Sequence, residues 1–104
     1  RRQNRTPSHK ITRGGVTLDL SAKEACVGST PLHLTKSEYA ICELLALHAG
    51  QTFSKEQIYE AVFSLEGDSD NSTISTHIKN IRSKLNKLDI QPIATVWGIG
   101  YKWE

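Results

Sequence analysis

Methionine is absent from this chain, proline occurs three times, and cysteine only twice among 104 residues. Cys26 and Cys42 are too few for a disulfide scaffold, and neither lies in a C-x-x-C pair. Their ordinary reading is as reduced, buried thiols. No apolar run approaches the ~18 residues that a membrane-spanning helix requires. The N-terminus is polar and basic, so no secretory leader is visible and a cytoplasmic location is expected. Catalytic signatures are missing as well: there is no G-x-S-x-G, no P-loop and no H-E-x-x-H. Cys26 and Cys42 do not combine with His33 or His48 in any zinc spacing. Glu56 and Glu60 stand one helical turn apart, which reads as a solvated face. The expectation is therefore a non-enzymatic domain with no catalytic residue, no metal and no cofactor.

What is present is an ordinary globular composition, 38% apolar and 23% charged. A net charge of +2 does not by itself announce a polyanionic partner, but its distribution is uneven. Residues 1–35 carry six cations and two acids; residues 36–70 carry two cations and seven acids; residues 71–104 carry five cations and two acids. A basic last third can face a polyanion while the acidic middle faces elsewhere.

Along the chain, residues 1–8 (RRQNRTPS) lack periodicity and read as a linker. The missing initial methionine points to a piece of something longer. Residues 9–104 read as one domain. Residues 16–20 alternate apolar and polar after the turn signal Gly14-Gly15. Residues 25–27 form a second strand, closed by Gly28-Ser29, and residues 32–34 a third after Pro31; Ile11 belongs to a further edge strand. Thr35-Lys36-Ser37-Glu38 is a capping box that opens a helix, with Gly50 as its stop. Thr52-Phe53 reads as a short extended link. Ser54-Lys55-Glu56-Gln57 is a second capping box, followed by Ile58, Tyr59, Val62 and Phe63. Residues 65–71 (LEGDSDN) form an acidic loop. Residues 93–96 and 101–103 are strands joined through Gly98 and Gly100, a hairpin.

The most informative segment is residues 71–88. Ile74, Ile78, Ile81, Leu85 and Leu88 recur at steps of four, three, four and three, a single apolar stripe on a helix. The other face holds Thr73, Thr76, Lys79, Asn80, Ser83 and Lys87, with no acid and no large apolar group. Small hydrogen-bonding groups and cations are the types that read base edges and grip phosphates. A solvated face is the plain alternative for these residues. The hairpin that follows tips the balance. The order of elements describes an α+β fold, a winged helix-turn-helix in which this helix is the recognition helix and residues 95–102 the wing.

Three local motifs then coincide with one family. Leu34-Thr35-Lys36-Ser37-Glu38-Tyr39 resembles its LTxxEF/Y motif. Thr76-His77-Ile78-Lys79-Asn80-Ile81-Arg82-Ser83-Lys84-Leu85 resembles its VHIxxLRxKL helix, and Thr95-Val96-Trp97-Gly98-Ile99-Gly100-Tyr101 its TVxGxGY wing. The chain is similar to the C-terminal effector domain of OmpR/PhoB-type response regulators. Trp97 and the run Asn71-Ser72-Thr73-Ile74 look most like the VanR-type members. The resemblance implies an N-terminal four-stranded antiparallel sheet, three helices and a C-terminal hairpin wing. It implies sequence-specific binding of double-stranded DNA, as a dimer on direct repeats, and a separate receiver domain in the full-length protein. The loop at residues 64–70 would contact RNA polymerase; a solvated connector is the plain alternative.

The chain departs from the family pattern where many members have arginine at Ser72, aspartate at Ser75, and arginine at Asn80 and Trp97. The base code therefore does not carry over. Lys79 and Asn80 become the base-reading candidates. His77, Arg82 and Lys84 are expected at phosphates. Ser72, Thr73, Thr76 and Ser83 complete the helix face, and Thr95, Trp97, Gly98 and Tyr101 the wing, with Trp97 expected to buttress the hairpin against the DNA backbone. Two other functions compete: a winged-helix module that binds protein rather than DNA, and a cysteine-based redox sensor.

Overall fold

The computed structural model describes residues 10–63 and 72–104. The expected linker at residues 1–8 and the acidic loop at 64–70 lie outside them. Four short strands come first: β1 (Lys10–Arg13), β2 (Val16–Asp19), β3 (Glu24–Val27) and β4 (Thr30–Leu32). They form an antiparallel sheet in sequential order. Gly14 and Gly15 both have positive φ, 60° and 87°. That is the backbone a two-residue hairpin turn demands, and it sets Arg13 opposite Val16. Val16 and Leu18 point into the core while Thr17 and Asp19 are half-buried, the period-two pattern of a one-sided sheet.

β4 sits two residues earlier than the expected strand at 32–34. The Gly28-Ser29 turn places Thr30 opposite Val27, so pairing begins at once, with Pro31 facing Cys26. Proline is tolerated because β4 is an edge strand, where one N–H has no ladder partner to lose.

Three helices follow. α1 (Lys36–Leu47) opens on the capping box expected for it: Thr35 Oγ1 accepts from the Glu38 amide, and Glu38 Oε1 accepts from the Thr35 amide. α2 (Lys55–Phe63) opens the same way, with Ser54 and Gln57 exchanging bonds of 2.8 and 3.0 Å. α3 (Ser72–Asn86) buries Ile74, Ile78, Ile81 and Leu85 almost completely, and Leu88 packs at the edge of the core.

α3 closes in a Schellman motif. The Ile90 amide donates to Leu85 O and the Asp89 amide to Asn86 O, with Asp89 at φ 64°. Leu88 is thus the C-cap, and the left-handed position is held by aspartate rather than glycine.

The last sheet differs from a simple hairpin. β6 (Ile93–Val96) and β7 (Gly100–Trp103) pair as expected, and β5 (Thr52–Phe53) joins β7 on its other side. The Thr52-Phe53 segment is therefore a strand, with Phe53 opposite Tyr101. A Cβ at Gly100 would run into the Phe53 carbonyl, so glycine here is required by close approach. Trp103 is fully buried and, with Ile93 and Phe53, joins this sheet to the helices through one core.

Candidate nucleic-acid interface

α3 is fixed in place by its buried stripe and by two polar ties. Glu38 of α1 is only 3% exposed. Its carboxylate accepts from Lys84 of α3 as well as from the Thr35 amide, so one side chain caps α1 and holds α3. Burial alone would raise the Glu38 pKa. The hydrogen bonds from Lys84 and Thr35, with the Lys84 and His77 charges, outweigh burial and keep it below the ordinary carboxylate value.

The second tie runs to the wing. Arg82 Nη2 donates to Ile93 O at 3.1 Å and to Thr95 Oγ1 at 2.7 Å. The guanidinium carbon lies 5.5 Å from the Tyr101 ring centroid. Gln91 Nε2 returns a bond to Arg82 O. Recognition helix and wing are thereby joined side chain to strand.

These ties sort the expected site residues. Thr76, Lys79, Asn80 and Ser83 are exposed together on the outer face of α3, with Lys87 beyond them. Thr73 is half-buried beside them; the Ser72 side chain is outside the description, although its backbone is helical. His77 is half-buried and stacks on Phe63 of α2, ring centroids 5.5 Å apart and planes 19° apart. Arg82 and Lys84, expected at phosphates, hold strand, carboxylate and ring partners inside the fold instead. Thr95 is half-buried as an Arg82 acceptor. Tyr101 is 9% exposed and belongs to the core.

The expectation for Trp97 needs correction. It is 88% exposed and does not buttress the hairpin. It sits in the turn that follows the last β6–β7 pair, Val96 with Gly100, beside Gly98 at φ 80°. The hairpin is held by Arg82, Tyr101 and Trp103 from below, leaving the tip nothing to support. Ile99, not singled out from the sequence, is 61% exposed on the same tip.

Lys55 was also missed. It lines a cleft of about 330 Å³ together with Thr95, Tyr101 and wing-turn residues 96–100. Its place right after the Ser54 cap was readable, but its nearness to the wing depends on β5 pairing with β7.

The family model for "Transcriptional regulatory protein, C terminal" matches residues 29–103. The transcriptional regulatory protein SpaR of Bacillus subtilis is 47% identical over 105 residues, 99% of this chain and 48% of SpaR. The nisin biosynthesis regulatory protein NisR of Lactococcus lactis subsp. lactis is 38% identical over 90 residues, 86% of this chain and 39% of NisR. The chain thus spans about half or less of the length of these relatives. Among solved structures, the DNA binding domain of CpxR from E. coli superposes with a TM-score of 0.75 at 30% identity, covering 92% of this chain and 96% of that one. This chain belongs to the family of C-terminal domains of transcriptional regulatory proteins, the winged-helix effector domains of OmpR/PhoB-type response regulators.

Proposed function

We propose that this domain binds double-stranded DNA sequence-specifically to regulate transcription, as the effector domain of a two-component response regulator. α3 enters the major groove and the wing meets the neighbouring minor groove or backbone. The observation that carries this function is the outer face of α3. Thr76, Lys79, Asn80, Ser83 and Lys87 are all exposed, no acid interrupts them, and on the opposite stripe Ile74, Ile78, Ile81 and Leu85 are buried. Asn80 can pair with an adenine edge and Lys79 with guanine or a phosphate. Arg82 and Lys84 act as positioning groups whose remaining N–H bonds can still face a phosphate.

In the whole protein, a receiver domain precedes this one, the active form is a dimer on direct repeats, and residues 64–70 meet RNA polymerase. The protein works in the cytoplasm; among the described residues no helix is long and apolar enough to cross a membrane. Selection of bound sequences from a random pool, then footprinting of the preferred site, tests the function directly. An enriched site whose affinity falls with salt is expected, because phosphate contacts release counterions. A domain that enriches no site and shows no salt-dependent affinity would instead be a protein-interaction module. A cysteine-based sensor is disfavoured at Cys42, which is fully buried and whose pKa burial pushes up to about 12.

A further inference from the structure

The wing tip is chemically unlike the rest of the proposed interface. From Ile93 to Tyr101 the chain has no charged residue. At the tip, Trp97 is 88% and Ile99 61% exposed, two large apolar side chains either side of Gly98. A Cβ built at Gly98 would meet nothing within 4 Å, so the turn is open on that side. The tip is nevertheless rigidly aimed. Thr95, two residues before Trp97, is bonded to Arg82 of α3, and Gly100 is pressed against the backbone at Phe53.

We infer that the wing is an uncharged hydrophobic wedge, in which Trp97 and Ile99 pack into the DNA minor groove against the deoxyribose walls and widen or kink the duplex there. This rests on the DNA-binding function proposed above and specifies the chemistry of one of its contacts. A tip without a cation gains little from phosphate ridges. B-DNA offers apolar surface in two places, the thymine methyls of the major groove and the sugar walls of the minor groove. α3 occupies the first, and the wing is tied to α3 through Arg82. A protrusion one turn wide suits a groove about 6 Å across. Apolar side chains placed there commonly unstack a base step and bend the helix axis. Lys55, the one charged side chain lining the cleft behind the tip, is placed to meet a phosphate at the groove edge.

A wedge of this kind releases no counterions, so its contribution is independent of salt, unlike that of Lys79. The experiment uses the domain, its selected site, and the variants Trp97→Ser, Ile99→Ser, their double, Trp97→Arg, Lys79→Ala and Asn80→Ala. Affinity is measured at several salt concentrations, DNA bending by circular-permutation electrophoresis, and sugar exposure by hydroxyl-radical footprinting. Tip variants should melt like the parent, since the side chains they lose touch no core. The double variant should bind about tenfold or more weakly, on the scale of one buried aromatic surface. Its salt slope should be unchanged, its bend smaller, and its minor-groove sugar protection lost. Lys79→Ala should instead reduce the slope by about one unit. Trp97→Arg should recover affinity with a slope steeper by about one unit.

If the parent and Asn80→Ala differ on the selected site but the double tip variant binds and bends DNA like the parent, the wedge is wrong while DNA binding stands. A double variant that loses affinity with a shallower slope also overturns it, since the tip would then act through phosphates. If the parent binds no DNA, both fail together.

Discussion

Asn80 and Asp89 sit at opposite ends of what a single residue does on α3. Asn80 is exposed on the helix face opposite Ile78 and Ile81, and among the described residues no side-chain bond ties it to the fold. Asn80→Ala should therefore leave the melting temperature unchanged. It should cost about 1–3 kcal/mol on the preferred site if the amide makes a bidentate base contact, and little on random DNA. Competition titrations with specific and scrambled duplexes check this, and equal losses on both would remove Asn80 from sequence reading. Asp89 has the reverse profile. Its φ of 64° serves only to let the Schellman motif close, where a Cβ is penalised by roughly 1 kcal/mol. Asp89→Gly should raise stability by a fraction of that, since glycine also gains freedom in the unfolded chain, with DNA affinity unaffected. Urea unfolding of the two proteins decides the sign.

Among elements, α3 and the wing form one unit because of Arg82. Truncation of Ile81, fully buried mid-stripe, should destabilise the domain by roughly 2–5 kcal/mol, read as a shift in urea midpoint. An unchanged midpoint would mean the helix presents its other face to the core. Arg82→Lys is subtler. Lysine keeps the charge but loses the planar fork that bonds Ile93 O and Thr95 Oγ1 together while lying over Tyr101. It should loosen the wing, accelerate amide exchange in β6, and weaken specific binding more than the loss of one phosphate contact would. If only the salt slope changes and exchange in β6 does not, Arg82 serves DNA and not the wing.

How legible each element was follows from the range of its causes. The two capping boxes and the isoleucine stripe were readable because their partners lie three or four residues apart. The Gly14-Gly15 turn and the β6–β7 hairpin were readable for the same reason. β5 was readable as a short extended segment, but its pairing was not: two residues carry no register, and the partner β7 lies half the chain away. Arg82 and Lys84 looked like surface cations because only the folded chain brings Thr95 and Glu38 to them. Trp97 was misread as a support since nothing local says whether a turn tryptophan folds back or projects.

At the scale of the whole molecule, three groups among the described residues make stability depend on pH, and they act at opposite ends. Cys42 is raised to about 12 first by burial, with the Glu38 charge adding to it, and Tyr39 is raised first by burial and then by its Glu43 neighbour. The native state holds both protons where the unfolded chain releases them. Their share of stability is therefore complete below the unfolded values, ~8.5 for a thiol and ~10 for a phenol, and declines above them. Glu38 works in the other direction. Its pKa is held down, so its share is complete above the unfolded value of ~4.3 and is lost as pH falls through the lower folded one. The consequence reaches the proposed interface because the same carboxylate secures Lys84 and thus α3. Glu38→Gln should cost about 1–3 kcal/mol at neutral pH, below the range for a sealed ion pair because Lys84 remains one-third exposed. Urea midpoints of parent and variant should then converge as pH is lowered past the ordinary carboxylate range, where the parent carboxylate takes up its proton. A gap that stays constant down to acid pH would show that Glu38 stabilises by its hydrogen bonds and shape alone. The orientation of α3 would then owe nothing to the charge between Glu38 and Lys84.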